Sequence, residues 1–549
     1  MSAEAPHVVM AVANPIVMDT RVRKTAASVA ELGYRVTLLW ADDVGSAVTE
    51  GRLGAAKTIG LPVAYELRAW RQATFNARAA LGRNWLPLGY ADARARRRKA
   101  AELAARRARL DGGEEPAGLR WAALVHRARS KAQSVRANAH RRRYEAWRGG
   151  LAWERELANV ADLDGVFGPW IEKLRPDLLH LHDVHLLSAG THAKRRLLAQ
   201  GVDTKLIYDA HEYVRGMQIG NQFEAAAYSA MEARFAPEAD GFVTVSEPIA
   251  DLLTADLGLA VRPTVVLNSP PLAAGRGAGG GPGGGRGGVR GGVRGGVRGG
   301  GPDLRSRLGL GPDVPLAVYS GVLHTNRNLA QLIDAFALLD GVHLALVCVP
   351  NAHYPVAQAL GRRAEGLGIS DRVHLVDPVA SEQIVGFLSS AWLGIHPMAT
   401  GLANHEMALP NKLFDYLWAG LPVAVSQVKA MSQAVSEWGV GLTFDPSDPA
   451  SIAAGVRGVL ERRAEFARAA GADELRRRFA WEAQVAKLGE LYARLAPLPG
   501  QARPEPLARP ETPAPDETPA RPETQARPET QARPEPLAPR PPEPGTMAP

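Results

Sequence analysis

An α/β fold of two facing Rossmann-like domains with parallel sheets is what this sequence predicts, and three observations predict it. Apolar runs of strand length recur along the chain, alternate with helical patterns, and fall into two sets. A stretch made almost wholly of glycine and arginine separates the sets. At 549 residues the chain exceeds what one hydrophobic core usually supports, so two core-bearing domains with extensions are expected.

The first strand is read at 8–13, an apolar run followed by Asn14-Pro15. A helical pattern from about Thr20 to Leu32, closed by Gly33, and a strand at 36–40 complete a βαβ opening of parallel-sheet character. A block at about 83–150 then interrupts the first half. It is rich in Ala and Arg, with Leu103, Leu110, Trp121, Leu124, Val125 and Trp147 interspersed, so helices with basic faces are expected. Strands resume at 178–182, 206–210, 241–245 and 265–267. The second set is read at 316–319, 344–347, 373–375, 393–395 and 423–425. The boundaries that follow are an N-terminal domain at 1–272, a linker at 273–303, a C-terminal domain at 304–496 and a tail at 497–549.

Residues 275–301 repeat Val-Arg-Gly-Gly and cannot bury apolar area, so this linker is expected to be disordered. Its Arg-Gly-Gly character would suit RNA, but it has no aromatic residue on which a base could stack, so no nucleic-acid partner is expected. The tail repeats Arg-Pro-Glu-Thr and reads as an extended, solvated segment. Of the net charge of +8, residues 91–150 hold 17 Lys/Arg against 6 Asp/Glu, so the basic character is local. That block is either a solvated helical insertion or an element that meets anionic lipid headgroups. A single cysteine, Cys348, and no signal-like start or membrane-length apolar run point to the cytoplasm, with peripheral contact at the inner membrane face left open.

Candidate chemistry begins at Leu409-Pro410-Asn411-Lys412-Leu413-Phe414-Asp415-Tyr416, which reads as a helix start, with Gly420 and Pro422 closing the helix before the last strand. Free backbone N–H groups, a positive dipole end and Lys412 suit a diphosphate there, and Asp415, one turn in, can accept hydrogen bonds from a ribose. In the first half, five of the 14 histidines lie between His180 and His211. His180 and His182 share one face of a strand, and Asp183 and His185 fall where it ends. The His-x-His-x-Asp-His order of a metallo-β-lactamase-type metallohydrolase is not met, because the Asp comes one residue early. Tyr208-Asp209-Ala210-His211-Glu212 ends the next strand in the same way, so His182, Asp183, His211 and Glu212 can converge at the carboxyl edge of the sheet. Asn14, Asp19, Arg21, Arg23 and Lys24, at the first strand–helix junction, would line the same edge. Asp162-Leu163-Asp164 has the letters of a metal-binding Asp-x-Asp but lies in an expected helix.

These motifs, in this order over 7–40, 175–270 and 316 to about 495, resemble GT-B glycosyltransferases of family 4. The resemblance implies transfer of a sugar from a nucleoside-diphosphate-sugar donor to an acceptor, with retention and without a metal or other cofactor. It places His182 near the reacting sugar, with Asn14, Asp19, Arg21, Asp183, His211 and Glu212 on the acceptor side. Gly321, Arg327, Asn411, Lys412 and Asp415 would hold the donor, and Arg327 and Lys412 would meet the charge of the leaving diphosphate. Two departures stand out. Val322 replaces the Arg that commonly follows Gly321, and Met407 stands where relatives carry a sugar-holding acid, a role that Glu406 could take only if the loop shifts by one residue, or that the backbone of His405 to Ala408 could take instead. The acceptor would be a glycan or lipid-linked molecule of envelope or exopolysaccharide synthesis. A nucleotide-sugar epimerase and a catalytically silent GT-B binding protein remain as alternatives.

Overall fold

Apolar runs flanked by glycine and proline become the strands of two separate sheets in the computed structural model, which describes residues 4–42, 45, 47–70, 153–217, 222–274 and 303–501. The expected insertion at 83–150, the linker at 275–301 and the tail beyond 501 lie outside the described residues. The first sheet contains β1 (His7–Val12), β2 (Arg35–Asp42), β3 (Thr49–Leu53), β4 (Ala56–Pro62), β5 (Leu178–His182), β6 (Lys205–Ala210), β7 (Gly241–Thr244) and β8 (Thr264–Val265), in the order β3-β4-β2-β1-β5-β6-β7-β8. The second contains β9 (Leu316–Val322), β10 (His343–Val349), β11 (Val373–Val376), β12 (Leu393–His396), β13 (Val423–Ser426) and β14 (Gly441–Phe444), in the order β11-β10-β9-β12-β13-β14. Neighbours are parallel throughout, except for the β3–β4 hairpin.

Each sheet reverses its strand order at one point, between β1 and β5 in the first and between β9 and β12 in the second. Ligands of open α/β sheets bind outside the carboxyl ends of the strands at such points. Register then decides which side chains meet there. Val12 pairs with His182, and His182 with Asp209, so the ends of β1, β5 and β6 form one row.

Every residue of β1 is buried, as its unbroken apolar run requires. The helix Thr20–Glu31 follows, capped by the Asp19 carboxylate on the Val22 N–H. Gly33, at φ 104°, supplies the left-handed turn that returns the chain to β2. The β3–β4 hairpin is a correction to the sequence reading. β3 exposes four of its five residues, so it carries no apolar run to betray it. β14 was likewise not read as a strand.

A second correction concerns the end of the chain. The helix Trp481–Leu495, assigned from sequence to the C-terminal domain, buries Trp481, Leu488, Leu491 and Tyr492 among Val8, Met10, Val29, Leu38 and Ile207 of the N-terminal half. The indole N–H of Trp481 donates to Ser28 Oγ at 2.9 Å, and Gln484 accepts the Leu267 N–H at 3.2 Å. Among the described residues, no helix is long and apolar enough to cross a membrane. Because Leu488 is fully packed, Leu488→Ala should cost about 2–5 kcal/mol in urea unfolding of the whole chain. A loss below about 0.5 kcal/mol, the range of surface substitutions, would show that this helix is not integral to the N-terminal core.

Candidate active site

In the N-terminal half the chemistry is organised by one buried ion pair. Arg21, on the first helix, donates from Nη2 to Asp209 Oδ1 at 2.9 Å and from Nε to Oδ2 at 3.2 Å, while Nη1 donates to the Val266 carbonyl at 2.6 Å. Both side chains are buried. The expectation that Arg21 lines the acceptor edge is therefore corrected: its donors are spent on Asp209 and the segment after β8. Lys24 is also turned inward, donating to the Ser269 carbonyl at 2.7 Å over the Trp481 ring.

Three histidines surround the same carboxylate. Asp209 Oδ2 lies 3.3 Å from His182 Nδ1, 3.3 Å from His211 Nε2 and 3.8 Å from His180 Nε2. Tyr492, from the last helix, closes the row with its hydroxyl 2.6 Å from His180 Nδ1. Burial alone would raise the Asp209 carboxyl, but Arg21 and His211 hold it well below its usual range. Burial, with His182 beside it, pulls His180 down to about 3, and burial also lowers His182, so both are neutral. His211 goes the other way. Burial opposes its charge, yet Asp183 and Asp209 push it up to about 10.

The ligand atoms of His180, His182 and Asp209 lie within 4.8 Å of one another, a spacing a metal could use. The donor set does not fit one. Both Asp209 oxygens already face the Arg21 guanidinium, and a divalent cation would sit beside that charge and the His211 imidazolium. Asp162 and Asp164 are structural too, accepting from the Leu67 and Arg68 N–H groups and from Ser188 Oγ respectively.

The exposed edge differs from the expected one. His182 is fully buried, with Nε2 unpartnered and Nδ1 3.2 Å from His211 Nε2, so the residue read as catalytic is not on the exposed edge. Asp183, at φ 67°, places its carboxylate 3.4 Å from His211 Nδ1, and Glu212 is exposed next to it. Asn14 is exposed and donates to Asp19 at 3.3 Å. Asp19 is engaged by that bond and by its helix cap, so it does not present a free carboxylate to an acceptor.

In the C-terminal half, Gly321 near the end of β9 takes φ 154°, where a side chain is rarely accommodated. The chain then turns through Thr325–Arg327 and Asn328, at φ 45°, into the helix Leu329–Phe336. Arg327 has no carboxylate partner among the described residues. Its guanidinium contacts His405, with Nη1 3.4 Å from Nε2. Beside it His396 ends β12 at the switch point, buried, stacked on Tyr319 at 6.1 Å, with neither ring nitrogen partnered. Burial and then the charges of Arg327 and Lys412 hold His396 well below its ordinary range. The surroundings of His396 are thus positive, and sequence reasoning singled out the side chain of neither histidine. A polar residue closing an apolar strand was the available signal at His396.

The helix expected at the nucleotide runs Asn411–Trp418, with no side chain capping its start and Gly420 at φ 75° beyond its end. Lys412 and Asp415 are brought together, Nζ to Oδ2 3.1 Å. Glu406 is not free for a sugar: Oε1 accepts the Gly401 N–H at 2.7 Å and Oε2 the Lys429 N–H at 2.8 Å. The proposed substitution of Glu406 for the missing acid is therefore corrected. Met407 packs against the apolar cluster of the N-terminal half.

Raised by its two carboxylates, His211 contributes stability that is fully present below its unfolded value near 6.5 and is lost as pH rises through about 10. Between pH 6.5 and 10 the wild type should therefore lose stability relative to His211→Gln, as read by urea midpoints. Parallel profiles would mean that the His211 ring is neutral.

Residues 314–462 match the family described as Glycosyl transferases group 1, and residues 122–269 match Glycosyltransferase Family 4, together more than half of the chain. D-inositol 3-phosphate glycosyltransferase of Geodermatophilus obscurus is 26% identical over 201 residues, covering 35% of this chain and 43% of that protein. The corresponding enzyme of Thermobispora bispora is 26% identical over 201 residues, with 34% and 45% covered. The chain thus spans under half the length of these curated relatives. Sucrose-phosphate synthase from Thermosynechococcus elongatus superimposes with a TM-score of 0.56 at 15% identity, over 89% of this chain and 99% of that one. Anabaena HepE, solved with UDP and glucose, gives 0.53 at 12% identity, over 89% and 99%. Two Rossmann-like sheets facing each other, with family matches in each half, identify the chain as a member of the GT-B glycosyltransferases of family 4 type.

Proposed function

We propose that the protein moves a sugar from a nucleoside-diphosphate-sugar donor to an acceptor, with the donor diphosphate held between Arg327, Lys412 and the start of the helix Asn411–Trp418. The observation that carries this reading is Arg327. A largely buried guanidinium without a counter-carboxylate among the described residues is costly, and the neutral His396 beside it offers no charge in return. An anionic ligand would supply the missing charge, and the stabilisation would grow as the leaving diphosphate gains charge. Gly321 would let the backbone approach the phosphates, and Asp415 would accept from the ribose. HepE, a structural neighbour, was solved with UDP and glucose, which supports a nucleotide-sugar donor. The expectation that no metal is needed rests on these cations.

On the acceptor side, the exposed Asn14 and Glu212 and the partly buried Asp183 and His211 would form the rim. His211 is held as an imidazolium and Asp183 ionised by it, so neither is a base poised at neutral pH; orienting an acceptor hydroxyl suits them better. His182 acts behind them, through Asp209 and His211. Retention, a glycan or lipid-linked acceptor of envelope or exopolysaccharide synthesis, and a peripheral site at the inner membrane face rest on the family and on the basic block at 91–150. Sedimentation with anionic vesicles at low and high salt tests the last of these. The engagement of Glu406 and Met407 elsewhere favours one second reading, a GT-B protein that binds donors without turnover.

A panel of UDP-, GDP- and ADP-sugars tests the donor site. The cognate donor at 100 times its Kd should stabilise the protein by about 2.7 kcal/mol. Arg327→Ala should mainly lower turnover, and Asp415→Ala should mainly weaken donor binding. If both folded variants keep wild-type affinity and rate, the donor lies elsewhere. Binding without product across acceptors establishes the second reading, and conversion of donor alone would establish an epimerase.

A further inference from the structure

The short helix Ala403–Met407 belongs to the C-terminal half but touches both halves. Asn404 Oδ1 accepts the Tyr213 N–H at 2.9 Å, and Nδ2 donates to the Tyr213 carbonyl at 3.2 Å. One amide side chain therefore satisfies both backbone groups of a residue that directly follows His211-Glu212. Tyr213 is itself anchored, its hydroxyl donating to Asp256 at 2.5 Å. The approach is close on either side of this pair. A β-carbon at Gly216 would come within 2.8 Å of that of Ala403, and Met407 packs on the N-terminal core.

The next residue, His405, faces the donor side. Its Nδ1 lies 2.8 Å from the Ala399 carbonyl, which can only accept, so Nδ1 carries the proton. Nε2 is then a lone pair, and Arg327 Nη1 at 3.4 Å and Asn326 Nδ2 at 3.5 Å converge on it. Burial keeps the ring neutral, as an acceptor for a guanidinium must be.

We infer that Asn404 is a latch between the two halves, and that through the adjacent His405 it positions Arg327 for the donor diphosphate. The second clause rests on the donor site proposed above; the latch does not. Two neutral hydrogen bonds exchanged against water are a small bias, which suits a contact that must open to admit substrate and release product. The replacement of an acid by Met407 belongs to the same device, because an acid there would face an apolar surface.

Small-angle scattering of the unliganded full-length protein tests the latch, and calorimetric titration with UDP or GDP tests the relay. Asn404→Ala and Asn404→Asp should both increase the radius of gyration with unchanged circular dichroism, since neither can donate to the Tyr213 carbonyl. His405→Gln should leave the scattering as in the wild type while weakening binding of the free UDP or GDP several-fold, because these carry the full leaving-group charge that Arg327 meets, which the donor sugar nucleotide does not. Arg327→Ala should cost less affinity in the Asn404→Ala background than in the wild type, because coupled residues are not additive. Unchanged scattering in both Asn404 variants overturns the latch. Independent, multiplicative losses for Arg327→Ala and Asn404→Ala overturn the relay. If the wild type binds neither nucleotide, the donor site and the relay fall together, and scattering still decides the latch.

Discussion

The pairing of Arg21 with Asp209 is the constraint on which the N-terminal half depends. It ties the first helix to β6 and, through the Val266 carbonyl, to the segment that leads out of the sheet. A carboxylate placed at 1% exposure among three imidazoles would otherwise take up a proton. With the guanidinium fixed against it, Asp209 stays ionised and the histidines sort themselves by position. His180 and His182, inside, are neutral; His211, between two carboxylates at the rim, is charged. Removing either partner would leave a lone buried charge, the costly way to break such a pair.

The C-terminal half inverts this arrangement. There a guanidinium is brought out of water with no acid to meet it among the described residues, beside two imidazoles that burial keeps neutral. Among the described residues, the buried Arg21 is balanced by Asp209 whereas Arg327 is not balanced by a carboxylate.

Much of the fold was legible because the evidence for it is local. An unbroken apolar run such as that of β1 must be buried on both faces, and glycine at positive φ marks the end of a helix, as at Gly33 and Gly420. The sequence-read helix start at Asn411 holds for the same reason. What was not legible is long-range. Nothing in Trp481–Leu495 tells an apolar helix face which half it will join, and an exposed edge strand such as β3 leaves no hydrophobic trace. Asp183 and His211, grouped from the sequence, do lie together, but other residues read for the site have different partners in the structure. Arg21, Asp19 and Glu406 have residue types that suit ligands, yet each is spent on a partner distant in sequence or on a helix end. His396 and His405 were passed over because their significance lies in the switch point and in Arg327, which pairing and packing create.

The return of the last helix to the first half has a consequence for how this protein comes into being. Tyr34, Val36 and Leu178 are made early, but they share a cluster with Leu488, Leu491 and Tyr492, which leave the ribosome only after the whole second half has been translated. During synthesis the second half can close its own sheet while the first still exposes an apolar seam along β1 and β2. Order of manufacture and order of completion are therefore reversed: the half begun first is finished last. A chain released before residue 496 would keep that seam uncovered, exposed apolar surface of the kind that makes an unfinished chain prone to aggregation.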